Sequence, residues 1–311
     1  MDVMQYKKIK FQLIFEKQVH FTVYPVFILR SVLGKSLRYF CCLFKGTACE
    51  QCSLNNTCAY SYFFETHIPK NTHILKGRNK ASHPFVMHTN QNINSVADNL
   101  LLETTFIGNG IQYIPYFYFA LQRAGNFGLF KSRTRFSVTD VLQNNTSLIN
   151  KEGCIDNSLE PQEISLEQYS KEKHPASFSI EFTSPSRLKS RGKLISKPSF
   201  SDIINAVTRR YTILNELHTN NNHELSLYDN EYSKDVSCTE INIDWLDLAY
   251  FSGRQKERLK LGGITGILRF SGNISDYEIG LLKTGELFHI GKNTAFGLGK
   301  ISVTKEELLN G

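Results

Sequence analysis

The feature that most constrains this chain is that it repeats itself. Phe11-Gln12-Leu13-Ile14-Phe15 is answered 167 residues later by Phe178-Ser179-Ile180-Glu181-Phe182, and Phe136-Ser137-Val138-Thr139 is answered 165 residues later by Ile301-Ser302-Val303-Thr304. A repeat that opens and closes at nearly one offset marks a duplicated folding unit, and missing it would misassign the whole architecture. The 311 residues suffice for two units of roughly 100 to 150 residues, each able to bury its own core. The boundary is expected near Ser170, with an N-terminal domain over 1–170 and a C-terminal domain over 171–311.

Each half reads in the same order. The first opens with an alternating strand from Ile9 to Phe15, then a helix from about Tyr24 to Phe40 with Phe27, Ile28, Val32 and Leu37 at helical spacing and Pro25 in its first turn. Strand-like runs follow at Tyr60 to Glu65, Pro84 to His88 and Leu100 to Ile107, then an aromatic-rich helix from about Ile114 to Arg123. The loop Gly125-Asn126-Phe127-Gly128 and a basic strand from Ser132 to Val138 close the half. The second half gives a strand at Ser177 to Phe182, a helix from Ser201 to His218, strands near Cys238 to Ile243 and Ile264 to Phe270, a helix from Asp276, and a last strand, Lys300 to Thr304. Strand-helix-strand-strand-helix-strand, twice, predicts an α+β chain of two tandem ferredoxin-like (RRM-like) domains with glycine-rich loops. Gln143 to Glu172 and Thr219 to Lys234 read as polar exposed segments.

The charge is unevenly placed. Net charge is +7, with 21% charged and 41% hydrophobic residues, and acids vanish over three long stretches. Between Glu65 and Asp98 stand Lys70, Lys76, Arg78 and Lys80 with His67, His73, His83 and His88. Between Glu103 and Asp140, Arg123, Lys131, Arg133 and Arg135 are interleaved with Tyr113, Tyr116, Phe127, Phe130 and Phe136. After Glu181 and before Asp202 come Arg187, Lys189, Arg191, Lys193 and Lys197. Such segregation makes a surface that a polyanion feels and a neutral metabolite does not. Solvated basic loops without a partner are the bland alternative. The first residues, Met1 to Lys10, lack the apolar run of a signal peptide or membrane span, which predicts a cytoplasmic protein.

Five of seven cysteines fall in one window, Cys41, Cys42, Cys49, Cys52 and Cys58. In a reducing compartment this grouping suggests a metal site more than disulfides, with Cys49, Cys52 and Cys58 joined by Cys41 or Cys42 as a four-thiolate set for a structural zinc. An iron–sulfur cluster, or free thiols under a loop, are the alternatives. The histidines from His67 to His88 fit no metal spacing.

The segment from Gly285 to Lys300 carries Gly291-Lys292-Asn293-Thr294-Ala295-Phe296-Gly297-Leu298-Gly299-Lys300. Its glycines would let backbone N–H groups converge on phosphate oxygens, with Lys292 and Lys300 adding charge. It is no nucleotide P-loop, since Thr294 stands where a glycine is required, and no dinucleotide loop, since a strand follows it. This segment resembles the terminal glycine-rich loop of the CRISPR-associated precursor-RNA processing endoribonucleases of the RAMP superfamily. Gly262-Gly263-Ile264-Thr265-Gly266 is similar to that family's central glycine turn, Tyr250-Phe251-Ser252-Gly253-Arg254-Gln255 to the polar stretch before it, and Thr183-Ser184-Pro185-Ser186-Arg187-Leu188-Lys189 to its strand-ending turn. Ile28 to Gly34 resembles the first helix, and the cysteines ending Cys58-Ala59-Tyr60 resemble those of one subgroup.

The resemblance implies an enzyme that cuts repeats in CRISPR precursor RNA to yield guide RNAs. A ribose 2′-hydroxyl would attack the adjacent phosphate without any metal, leaving a cyclic phosphate and a 5′-hydroxyl. Its partners would be CRISPR repeat RNA and a CRISPR effector complex, and no cofactor is implied for catalysis. RNA contacts are expected from Gly125, Gly128, Arg133, Arg135, Arg187, Lys189, Arg254, Gly291, Lys292, Thr294, Gly297, Gly299 and Lys300. The family often draws its histidine from the first helix, but here that helix holds Tyr24, Arg30, Lys35, Arg38 and Tyr39 and no histidine. The candidate catalytic residues are therefore His289, just before the glycine-rich loop, His20, at the end of the first strand, and Tyr24. Two other readings share parts of this pattern: a non-catalytic RNA-binding subunit of an effector complex, and a zinc-containing nucleic-acid-binding protein.

Overall fold

The computed structural model describes residues 3–68, 75, 81–156, 158–190, 192–219, 235–252 and 257–306. The chain divides into two compact units, one of Met4–Glu163 with Glu216–Asn220, the other of Met1–Val3, Ile164–Asn215 and Asn221–Gly311. Lys70, His73, Lys76, Arg78, Lys80, Arg191, Arg254 and residues 220–234 lie outside the described residues.

The first unit runs β1 (Val3–His20), α1 (Pro25–Cys41), β2 (Phe85–Thr89), β3 (Val96–Ile107), α2 (Ile114–Phe127), β4 (Phe136–Gln143) and β5 (Thr146–Ser147). Its strands lie in the order β2-β3-β1-β4-β5, and neighbours are antiparallel. Alternation decides the inward face of β1, since Ile9, Phe11, Leu13 and Phe15 are buried and Gln12 and Ile14 are exposed. The helices cover that face with their own apolar stripes, Phe27, Leu33 and Leu37 from α1 and Phe117, Leu121 and Ala124 from α2. Phe117 stacks on Phe11 at 5.4 Å and meets Phe106 edge-on at 4.9 Å. Truncating so central a ring to alanine would cost about 3–5 kcal/mol.

Three expectations need correction here. Tyr60 to Glu65 is not a strand: Ser61–Glu65 forms one wide helical turn, closed by Thr66 N–H donating to Ser61 O at 2.8 Å. Its aromatic spacing is helical, with Tyr60 stacked on Phe64 and Phe63 buried against Phe85 and Phe117. The segment from Gln143 to Glu172 is not an exposed excursion, because Leu148, Ile164 and Leu166 are buried. Within it β6 (Gln162–Ser165) pairs with β1. Third, α2 continues through Gly125 to Phe127, so the glycines expected in a loop end a helix, and the basic strand begins only at Phe136.

The second unit runs β7 (Lys173–Ser186), a hairpin of β8 (Lys189–Ser190) and β9 (Lys193–Leu194), α3 (Phe200–His218), β10 (Val236–Ser252), β11 (Glu257–Ser275), α4 (Asp276–Phe288) and β12 (Ile301–Glu306). The sheet order β10-β11-β7-β12 repeats that of the first unit position for position. The repeated sequences explain why. Phe11, Leu13 and Phe15 of β1 correspond to Phe178, Ile180 and Phe182 of β7, all buried, and the cross-strand pair Phe15–Phe136 corresponds to Phe182–Ile301. A capping box starts α4: Ser275 accepts from Glu278 N–H, and Glu278 Oε2 accepts from Ser275 N–H at 2.8 Å. Each unit is a ferredoxin-like β-α-β-β-α-β domain, and the chain is α+β. Among the described residues no helix is long and apolar enough to cross a membrane.

Candidate nucleic-acid interface

Four segments singled out in the second half meet at one place. The loop between α4 and β12 lies across the end of β7, and its backbone is fastened there: Lys292 N–H donates to Arg187 O at 3.1 Å, Gly299 N–H to Pro185 O at 3.1 Å, and Lys300 N–H to Ser184 Oγ at 2.9 Å. Ile290 N–H closes the loop on itself by donating to Gly299 O at 2.8 Å. The glycine segment Gly262–Gly266, expected as a turn, instead lies within β11 and pairs with β10, and a Cβ on Gly263 would sit 2.7 Å from the backbone of Ser186. Tyr250 of β10 meets Phe296 of the loop edge-on at 5.1 Å.

Two glycines make this clasp possible. Gly291 and Gly299 have φ of +77° and +79°, and a Cβ would stand 2.6 Å from Arg187 O at the first and 1.9 Å from Ile290 O at the second. Thr294 is buried and accepts from Gly297 N–H, which closes a short 3₁₀ turn. The expected open nest of N–H groups is thus corrected, because the N–H groups of Lys292, Phe296, Gly297, Gly299 and Lys300 are engaged within the protein. What the clasp presents outward is side-chain charge. Lys292 and Lys189 are exposed, and Arg187 and Lys300 are half-buried. Lys193 adds to them from β9, facing Ser190 across the hairpin. This is a cationic rim on a rigid backbone, suited to holding phosphates in register.

His289 caps α4 with φ of 57° and is buried. Its Nδ1 donates to Leu298 O at 3.1 Å, which ties the two ends of the loop together. Beneath it lies a residue that the sequence reading missed. Arg210 of α3 is buried and donates from Nε to Phe288 O at 3.2 Å, and burial pushes its guanidinium down to about 9. The signal was present: Ile203, Val207, Arg210 and Leu214 follow heptad-like spacing, which puts an arginine on the inward stripe. Ser184, also missed, is buried and accepts from Lys300 N–H.

In the first unit, His20 is exposed at the end of β1. Tyr24 sits just before α1 and is buried against Phe27 at 5.3 Å, and burial drives its phenol above the usual tyrosine range. Gly125 is helical and faces Phe136 O, where a Cβ would come within 2.1 Å, and Gly128 ends α2 with φ of 78°. These two glycines serve close packing and helix termination. Arg133 and Arg135 are exposed on the turn and extended segment that lead into β4.

The cysteines Cys41, Cys42, Cys49, Cys52 and Cys58 do line one pocket together with Leu43, Phe44, Leu54 and Tyr60. All five are free thiols. Burial, then neighbouring Cys58, pushes the Cys41 thiol up to about 11; burial, then Glu65, raises Cys49 against the opposing pull of Arg38. Among the described residues no group of three or more His, Cys, Asp or Glu side chains is set to hold a metal ion.

Comparison with known proteins gives two family matches. Residues 180–301, which span the whole clasp, match the model of the CRISPR-associated endoribonuclease Cas6. Residues 4–164 match a model described as an N-terminal domain. Among solved structures, a Cas6 in a product complex shares 14% identity over 96% of this chain and 99% of its own, with a TM-score of 0.55. Thermus thermophilus Cas6 shares 14% over 97% and 99%, with a TM-score of 0.52. A partial Cas6-RT-Cas1–Cas2 complex shares 12% over 98% of this chain and 47% of that one, with a TM-score of 0.55. At these identities the structures establish shared fold. No curated protein sequence matches.

Proposed function

We propose that this chain, whose residues 180–301 match the model of the CRISPR-associated endoribonuclease Cas6, cuts repeat sequences in CRISPR precursor RNA by metal-independent attack of a ribose 2′-hydroxyl. The observation that carries the reading is the clasp, a cationic rim on interlocked backbone that lies wholly within the Cas6-matching residues. In this proposal Arg187, Lys189, Lys292 and Lys300 hold the RNA backbone through its phosphates. The 2′-oxygen bonds to phosphorus as the bond from phosphorus to the 5′-oxygen breaks. One proton leaves the 2′-hydroxyl and one reaches the departing 5′-oxygen, giving a cyclic phosphate and a free 5′-hydroxyl. Arg133, Arg135 and, beyond the described residues, Arg254 are further backbone contacts in the same proposal.

His20 is the histidine we assign to proton transfer, because an imidazole must reach the substrate and His20 is exposed. His289 is assigned to holding the clasp through Leu298 O. A hydroxyl as deeply buried as that of Tyr24 is a poor proton donor to RNA. A structural zinc at Cys42, Cys49, Cys52 and Cys58 belongs to the proposal on the strength of their shared pocket. The RNA partner is the CRISPR repeat. Assembly with other CRISPR proteins is proposed by analogy with the complex named above.

The test is cleavage of the cognate repeat RNA by the purified full chain in EDTA. Wild type should cut, and His20→Ala should slow single-turnover cleavage by about 100-fold or more, the scale of losing one general acid or base, with little change in RNA affinity. Normal cutting by His20→Ala together with loss in His289→Ala would transfer the role to His289.

A further inference from the structure

The helices of the first unit carry a surface that the clasp does not explain. Tyr116, Phe119, Arg123 and Phe127 follow one another at three- and four-residue steps along α2, which places them on one face about 16 Å long. That face is turned outward, with Phe127 59% exposed and Tyr116 and Phe119 also exposed. The end of α1 meets it. Phe40 lies edge-on to Tyr116 at 6.4 Å, and Tyr39, 60% exposed, receives the Arg123 guanidinium at 3.9 Å and the Lys45 ammonium at 5.0 Å over its ring. Arg123 also lies 5.0 Å from the Phe127 ring. Neither helix contains an acid: there is no Asp or Glu from residue 17 to 49, nor from 104 to 139.

Large exposed rings set beside cations, with no negative charge along either helix, have a clear chemical complement. Contiguous exposed apolar surface marks a binding site. Rings whose faces reach solvent stack bases of any identity, and cations held on aromatic faces beside them meet the phosphates between those bases. A protein partner would have to bring a matching acidic surface, whereas RNA carries its charge at every residue. We propose that this outer face of α1 and α2 is a sequence-tolerant platform for single-stranded RNA, with Phe127, Phe119 and Tyr116 stacking bases and Arg123 and Lys45, steadied by Tyr39, contacting phosphates. It rests on the reading that the chain handles precursor RNA, whose single-stranded stretches outside the cut repeat would lie here.

The experiment is fluorescence anisotropy of a short labelled poly-uridine RNA with the full chain at low salt. Phe127→Ala and Arg123→Ala should each weaken binding by about 5- to 100-fold, the range for losing one stacked base. Phe127→Tyr should retain it, and the melting temperature of Phe127→Ala should hold because that ring is exposed. Cleavage of RNA trimmed to the repeat should be unaffected. Poly-uridine binding that is absent, or unchanged in both alanine variants, overturns the platform. So does a shift from dimer to monomer in those variants without change in RNA binding, which would make the face a protein interface. The two readings fail separately: dependence on Phe127 with no repeat cleavage would keep the platform and remove the nuclease assignment, and repeat cleavage without dependence on Phe127 would do the reverse.

Discussion

Replacing Gly299 by alanine should open the clasp, and its cost can be worked from the loop's geometry. A side chain at φ of +79° costs about 1–2 kcal/mol in backbone strain. The added Cβ would also stand 1.9 Å from Ile290 O, so the backbone must move. That movement breaks the hydrogen bonds from Ile290 N–H to Gly299 O and from Gly299 N–H to Pro185 O, at about 0.5–1.5 kcal/mol each. The sum is roughly 2–5 kcal/mol, and at about 2–4 °C per kcal/mol for a domain of this size the second unit should melt on the order of 10 °C lower. Gly192 supplies the control, since its φ is +82° but a Cβ there meets nothing within 4 Å. Gly192→Ala should lose only the strain, a few degrees. Differential scanning calorimetry of both variants, with repeat-RNA affinity measured in parallel, reads the difference. If the two melt alike, the close approach at Ile290 does not hold the loop and the clasp is misread.

Three further outcomes follow from the same structure. Burial holds the Lys7 ammonium below the ordinary lysine value while Glu160 and Asp156 pull it back; the folded state therefore releases this proton first, stability should climb as pH approaches 10.5 from below, and Lys7→Met should flatten that climb in urea midpoints, an unchanged slope counting against it. Anaerobically purified protein should carry about one zinc per chain, and replacing Cys49 and Cys52 together by serine should lower its melting temperature more than its turnover; elemental analysis without metal removes the zinc. Repeat-RNA affinity should fall steeply with salt, and Arg187→Ala should reduce the logarithmic slope by about 0.7, the contribution of one single-strand phosphate contact; an unaltered slope would take Arg187 out of the interface.

The duplicated plan was legible because strand and helix periods are local, and because Phe11 to Phe15 and Phe178 to Phe182 keep the same buried positions. The motifs around the clasp were legible as separate pieces. Their convergence was not, since the bonds that join Lys292 to Arg187 and Gly299 to Pro185 link residues about a hundred positions apart through backbone atoms with no side-chain signature. The same reasoning explains the nest: a glycine-rich loop reads alike whether its N–H groups face a ligand or the end of a neighbouring strand. Ser61–Glu65 was misread because a short aromatic run suits strand and helix equally, and only packing of Phe63 on Phe85 and Phe117 decided it. Helical spacing on α2 was visible, but which of its aromatics faced outward depended on where the sheet lay.

The proposed cleavage needs the 2′-hydroxyl, so the decisive substrate is a repeat RNA with 2′-deoxyribose only at the scissile nucleotide, incubated with the full chain in EDTA beside the all-ribose RNA. Binding should be equal, the all-ribose RNA should be cut to cyclic-phosphate and 5′-hydroxyl ends, and the deoxy substrate should stay intact; efficient cutting of the deoxy RNA at the same position would rule out 2′-hydroxyl attack.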